Sequence, residues 1–159
     1  TVIGTVGSED KAELARAHGW LHMVLYNEED FAERTREITG GKGADVVYDS
    51  VGQATFMKSL DCLRPMGMMV SFGQSSGLVP AFDPGLLSAK GSLFLTRPTL
   101  MTYTAERDAL LAHARDLFEV VQSGAVKIEV RQTYPLAEAA RAHQDLEARK
   151  TTGSTILLP

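Results

Sequence analysis

The chain has one cysteine, no apolar run long enough to cross a bilayer and no excess of positive charge. Cys62 alone cannot form an internal disulfide, and such sparing use of cysteine fits a reducing compartment. A membrane helix needs about 20 consecutive apolar residues, and none is present; nor is there a charged and then apolar opening of the kind a signal peptide has. A cytoplasmic protein with no membrane partner is expected. With a net charge of -4 and interspersed signs, no basic face exists to neutralise a phosphate backbone, so nucleic acid is not expected as a partner. Metal ligands are scarce too. His18 and His22 have i,i+4 spacing, but Gly19 interrupts the helix that would align them, and Cys62 has no second thiol beside it. No metal site is expected, and Cys62 reads as a packed helix residue.

What is present suits one globular core: 159 residues, 44% of them hydrophobic, with no internal repeat beyond an alternation of strands and helices. Thr1 to Val6 is mostly β-branched and reads as a strand. Ser8 is placed as an N-cap ahead of Glu9 and Asp10, and a helix to about His18 ends at Gly19. Met23 to Tyr26 is a second apolar run. Asn27 and Asp30 have the spacing of a capping box before the helical pattern of Phe31, Thr35 and Ile38, which Gly40 and Gly41 stop. Ala44 to Tyr48 reads as a strand, Gln53 to Leu63 as a helix closed by Pro65 and Gly67, and Met68 to Phe72 as the next strand.

A helical turn near Pro84 to Ala89 leads to a fifth strand at Ser92 to Leu95. Strands separated by helices of about 10 to 15 residues imply crossovers and a mostly parallel sheet covered on both faces, a doubly wound α/β fold. The remainder changes character. A long helix from about Thr104 to Ser123 puts Leu110, Ala114, Leu117, Phe118 and Val121 on one stripe before Gly124; a strand at Val126 to Thr133, a helix from Leu136 to Arg149 and a strand at Ser154 to Leu158 follow.

Five segments in order carry a family resemblance: IGTVGSEDK at Ile3 to Lys11, EITGGKGADVVYDSVG at Glu37 to Gly52, MVSFGQSSG at Met69 to Gly77, GSLFLTRPTL at Gly91 to Leu100, and the closing TTGSTILLP. Together they resemble the zinc-independent, zeta-crystallin-like NADPH:quinone oxidoreductases of the medium-chain dehydrogenase/reductase superfamily. The resemblance spans essentially the whole chain, with TRP after the strand the most discriminating piece. It implies a Rossmann-type parallel sheet over residues 1–124, and a segment over 125–159 whose helix and strand return to the adjoining catalytic domain. The family's glycine-rich turn between its first strand and first helix has no counterpart here. The expectation is therefore a sheet lacking that central strand and turn, through truncation or with the gap filled by swapped or rearranged strands.

The resemblance also implies roles for particular residues. At the end of the first strand here, Gly7 and Ser8 stand where a dinucleotide ribose is read. Lys11 would reach a 2′-phosphate with Tyr26 beside it, favouring NADPH, whereas an acidic side chain turned inward from Glu9 or Asp10 would favour NADH. Ser50 would face the adenosine end, with Asp49 either there or serving as a structural cap. Phe72 and Gly73 would pack near the nicotinamide ribose, with Ser75 and Ser76 supplying hydroxyls. Leu95, Thr96 and Arg97 would lie near the carboxamide, and Arg149 would meet a cofactor phosphate. The strand near Ser92 to Leu95 would pair with its twin in a homodimer.

The expected activity is hydride transfer from NADPH to a small-molecule quinone or similar electron-poor acceptor, with no acid-base catalyst in this chain. Reduction of an enone or alkenal double bond by the same fold is the alternative. A nucleotide-docking or dimerising module without activity, or an unrelated nucleotide-binding regulator, are readings of a different class.

Overall fold

Ile3, Thr5 and Val6 are β-branched and suit extended backbone; they build the first strand, β1 (Ile3–Val6). A helix, α1 (Glu9–Ala17), carries the chain to β2 (His22–Leu25), which pairs with β1 in parallel. Ala12 of α1 and Val24 of β2 are fully buried, the small alanine letting the helix lie close to the strand. Ser8 holds the N-cap position in extended backbone, but its hydroxyl makes no capping bond; Glu9 and Asp10 in the first turn supply the negative charge that a helix N-terminus favours.

The second helix, α2 (Phe31–Ile38), corrects the capping reading. Asp30 itself is the N-cap, its Oδ1 accepting from the backbone N–H groups of Ala32 at 2.9 Å and Glu33 at 3.2 Å. Asn27 is drawn elsewhere: its Nδ2 donates to the Gly7 carbonyl at 3.0 Å, across to the end of β1.

A second parallel sheet has the order β3-β4-β5, formed by β3 (Ala44–Asp49), β4 (Leu63–Ser71) and β5 (Phe94–Thr96), with α3 (Phe56–Asp61) and α4 (Gly85–Ala89) in the crossovers. Met69, on the central strand, is fully buried with Phe56, Leu60, Leu63 and Leu93, and Phe82 packs its ring 5.3 Å from that of Phe56. Pro65 and Gly67 do not separate helix from strand as expected. β4 begins at Leu63 and runs through them, with the pairing jumping from Ala44↔Leu63 to Val46↔Met68. The extra residues are absorbed by a left-handed Met66, at φ 56°, whose N–H donates to the Gly91 carbonyl at 2.8 Å. β1 is hydrogen-bonded only to β2, and β3 only to β4, so one edge of each has no strand partner. The two sheets are tied through helices: Lys58 of α3 pairs with Asp30 at 2.7 Å, and Arg36 donates to the Asp61 carbonyl.

The computed structural model describes residues 1–159, which divide into two compact units, Thr1–Thr102 and Tyr103–Pro159. A single turn, α5 (Leu100–Tyr103), precedes the helix expected from about Thr104 to Ser123, which forms as a single helix, α6 (Arg107–Gln122). No residue of α6 is buried: Leu110, Leu117 and Phe118 of the expected stripe are exposed. The strand after it starts later than its apolar residues suggested, as β6 (Val130–Pro135), and pairs in parallel with β7 (Ser154–Leu158) across a 3-10 turn (Leu136–Glu138) and α7 (Ala139–Glu147). Val126 and Ile128 remain exposed outside it. Every strand pair is parallel and the order is an α/β alternation, as the sequence predicts. No helix is long and apolar enough to cross a membrane.

Candidate functional site

In an open parallel sheet, ligands bind beyond the carboxyl ends of the strands, and here the ends of β3 and β4 are locked together. Asp49 closes β3. Its buried carboxylate accepts four hydrogen bonds: Oδ1 from the N–H groups of Val51 at 2.7 Å and Gly52 at 2.9 Å, Oδ2 from the hydroxyls of Thr55 at 2.7 Å and Ser59 at 2.8 Å. Both oxygens are thus occupied in shaping the turn into α3, and Asp49 is a structural cap. Gly52 in that turn has φ +87°, and a Cβ there would come 2.7 Å from the Gly77 carbonyl. Only glycine fits without strain.

The loop after β4 lies directly on this turn. The Asp49 carbonyl accepts from the N–H of Phe72 at 2.9 Å, the Ser50 carbonyl from Ser75 at 3.2 Å and the Val51 carbonyl from Ser76 at 2.8 Å. Gly73 crosses Ser50 so closely that a Cβ would sit 2.3 Å from its carbonyl oxygen. The Ser76 hydroxyl is engaged within the loop, donating to the Val51 carbonyl at 2.8 Å and accepting from the Ala54 N–H at 2.9 Å. Ser50 and Ser75 are exposed, and Phe72 is 51% exposed on this hydrogen-bonded loop.

β5 brings Leu95 and Thr96 alongside Met69 and Val70. Arg97 follows. Its Nη1 donates to the carbonyls of Ser71 at 2.8 Å and Gly73 at 2.9 Å, and its Nη2 to the Gln74 side-chain oxygen at 3.3 Å. Phe72, Gly73, Ser75, Ser50, Thr96 and Arg97 therefore gather at one edge.

At the end of β1 the structure joins Gly7, Ser8 and Tyr26. The Tyr26 N–H donates to the Val6 carbonyl at 3.2 Å, and a Cβ on Gly7 would lie 2.8 Å from the Tyr26 hydroxyl. Lys11 is in the first turn of α1, half-buried. The carboxylate of Glu9 is turned along the helix to Arg16, 2.5 Å away.

Arg149 belongs to the other compact unit, with left-handed backbone at φ 57° after α7 and its N–H bonded to the Leu146 carbonyl. Nearby, the Tyr134 hydroxyl donates to Asp145 at 3.0 Å; that bond raises the phenol's pKa and lowers the carboxyl's. No three His, Cys, Asp or Glu side chains come together in a way that could hold a metal ion. Burial pushes the Cys62 thiol up to about 11, the wrong direction for a nucleophile.

Two features of the site escaped the sequence. The fourfold use of Asp49 joins residues up to Ser59, and only the Thr55 and Ser59 hydroxyls at helical spacing hinted at it. The reach of Arg97 back to β4 depends on strand order; its signal was an arginine directly before a proline at a strand end.

Residues 18–157 match the family model described as zinc-binding dehydrogenase. The chain is 52% identical over 158 residues to a quinone oxidoreductase of Pseudomonas aeruginosa, covering 99% of this chain and 49% of that protein. It is 50% identical over 160 residues to a 2-haloacrylate reductase of a Burkholderia species, covering 100% and 48%. The crystal structure of Escherichia coli quinone oxidoreductase complexed with NADPH matches with a TM-score of 0.95 and 50% identity, over 99% of this chain and 49% of that one. The chain spans about half the length of the curated relatives it matches.

Proposed function

This chain belongs to the zinc-binding dehydrogenase family, and on that premise we propose that it is the cofactor-binding part of an enzyme that transfers hydride from NADPH to a quinone or similar electron-poor acceptor. The observation that carries this reading is the glycine-bearing loop Phe72–Gly77 pinned across the turn after β3, at the carboxyl edge of a parallel sheet, with an exposed aromatic ring on it. NADPH supplies the hydride when bound. The chain's residues hold and orient it.

Lys11 takes the 2′-phosphate, where its charge is of the right sign and Glu9 is occupied by Arg16; Gly7, Ser8 and Tyr26 bound that end. Ser50 lies toward the adenosine. Phe72 and Gly73 lie against the nicotinamide ribose, and Ser75 offers a hydroxyl while Ser76 fixes the loop that carries it. Leu95, Thr96 and Arg97 lie at the carboxamide end, and Arg149 serves a cofactor phosphate. Residues 1–124 form the dinucleotide-binding domain in this reading, and residues 125–159 return to the catalytic domain.

The reaction is read as zinc-independent from the likeness of the five segments to the zinc-independent branch of the superfamily. The enzyme is cytoplasmic and homodimeric, pairing through β5, the edge strand of its sheet, whose Phe94 and Leu95 are exposed. A second reading, reduction of an activated carbon–carbon double bond, is favoured by the 50% identity to the 2-haloacrylate reductase. Steady-state assays of the enzyme carrying this chain, with NADPH against a quinone, an enone and a 2-haloacrylate, test the choice. Turnover of the quinone is expected, whereas double-bond reduction without quinone turnover would replace the first reading by the second. Absence of NADPH binding would leave only a docking or dimerising module.

A further inference from the structure

β5 ends at Thr96, aligned with Val70 of β4, and the next residues are Arg97 and Pro98. Proline has no amide hydrogen, so at position 98 the backbone cannot donate to β4 and extend the ladder. The Arg97 side chain supplies donors in its place. One nitrogen bridges the carbonyls of Ser71 and Gly73 at 2.8 and 2.9 Å, and the second meets the Gln74 side-chain oxygen. A guanidinium presents its donors in one rigid plane, so these acceptors are fixed relative to one another.

Phe72 sits between the two clamped carbonyls. Its own N–H is taken by the Asp49 carbonyl at 2.9 Å, and the next residue, Gly73, is seated on Ser50. Phe72 is half exposed, so the placement of its backbone decides where the ring is presented. All three acceptors of Arg97 are neutral, and they orient the loop without cancelling the cation.

We infer that Arg97 is a positioning residue for the cofactor, acting through the carbonyls of Ser71 and Gly73 to fix the backbone of Phe72 rather than by gripping the cofactor itself. The inference rests on the NADPH reading given under Proposed function. It makes the arginine–proline pair a single device: the proline ends the ladder and the arginine redirects its missing donor to the loop.

The test compares the enzyme carrying this chain with its R97A and R97K variants, by fluorescence titration of NADPH, by KM and kcat, and by melting temperature. R97A should raise the Kd and KM for NADPH about tenfold, the equivalent of about 1.4 kcal/mol, while the acceptor KM stays within about twofold. Millimolar guanidinium ion should restore part of the loss. R97K keeps the charge but not the fork, and should remain at least about threefold weakened. An NADPH Kd unchanged in R97A, with or without a lowered melting temperature, overturns the inference. So does full recovery in R97K, which would assign the effect to charge. Should R97A fail to fold, R97K decides by the same criterion. An unsubstituted enzyme that binds no NADPH overturns the functional reading itself, whereas normal binding with an unaffected variant overturns this inference alone.

Discussion

Gly73 lies against the backbone of Ser50, so close that a Cβ at position 73 would meet the Ser50 carbonyl oxygen at 2.3 Å and its Cα at 2.6 Å. Neither partner can yield easily, because both atoms met are backbone and the two segments are also joined by the hydrogen bond from Ser75 to Ser50. Gly73→Ala must therefore push the loop off the turn. Forcing volume into a packed site costs about 1–3 kcal/mol, and the shift moves Phe72. The melting temperature should fall and NADPH affinity should drop by about tenfold or more; unchanged affinity in a folded variant would detach this loop from the cofactor.

Asp49 supports the same turn from beneath. Asp49→Ala leaves two backbone N–H groups and two hydroxyls without their acceptor. Each unsatisfied buried group costs about 1–3 kcal/mol, reduced where a hydroxyl can turn to another partner, so a loss of about 3 kcal/mol is expected. Asp49→Asn keeps one acceptor oxygen and should lose less. Denaturant midpoints read both losses, and an unchanged slope would confirm that stability alone has moved.

The order of strands and helices was legible because each element had its own local signal. Ile3, Thr5 and Val6 are β-branched, and Ser154–Leu158 forms the strand its residues suggested. Pairs set by tertiary structure were not legible. Asn27 and Asp30 have capping-box spacing, yet the approach of β1 takes Asn27 to Gly7 and leaves Asp30 to cap alone. Pro65 and Gly67 read as a stop between helix and strand, but β3 offers Ala44 as a partner to Leu63, and the strand forms around them. At the site, Gly73 and Phe72 drew notice as a loop after a strand. That Arg97 would hold their backbone required knowing that β5 lies beside β4.

Cys62 gives a prediction at alkaline pH. Burial pushes its pKa from 9.0 up to about 11, so between those values the folded protein holds a proton that the unfolded chain has released. The contribution to stability is complete below pH 9 and is lost as pH rises through 11, amounting to about 3 kcal/mol from a shift of this size. Cys62→Ser or Cys62→Ala should flatten that part of the stability profile. A disulfide reagent at pH 8 should label the thiol only as fast as the protein opens.

Asp30 acts at the opposite end of the pH scale. The Lys58 ammonium and the N–H groups of Glu33 and Ala32 hold its carboxyl below the ordinary value of 3.8. Stability from this group is present above pH 3.8 and is lost as pH falls through the lowered pKa. Asp30→Ser should keep the cap but lose the pairing with Lys58. Its melting temperature should fall less than that of Asp30→Ala at neutral pH, and acid titration of either variant should show a shallower loss than the parent.

In the proposed reading Lys11 selects between the two dinucleotides. NADPH and NADH differ only by the 2′-phosphate, so a residue that meets that group changes the affinity for one and leaves the other alone. The Glu9 carboxylate, which would repel the phosphate, is held by Arg16 at 2.5 Å. A charge-assisted hydrogen bond contributes about 1.5–3 kcal/mol, which corresponds to a loss of about tenfold to a hundredfold in NADPH affinity for Lys11→Ala, with NADH affinity within about twofold of the parent. Arg16→Ala should act in the same direction and more weakly, because it frees Glu9 to approach the phosphate while Lys11 remains; the Glu9–Arg16 pair is exposed and screened by salt. Parallel titrations of both cofactors read the ratio directly. Equal losses for NADPH and NADH in Lys11→Ala would place Lys11 away from the 2′-phosphate, and a preference that Arg16→Ala leaves unchanged would show that Glu9 does not reach that pocket even when released.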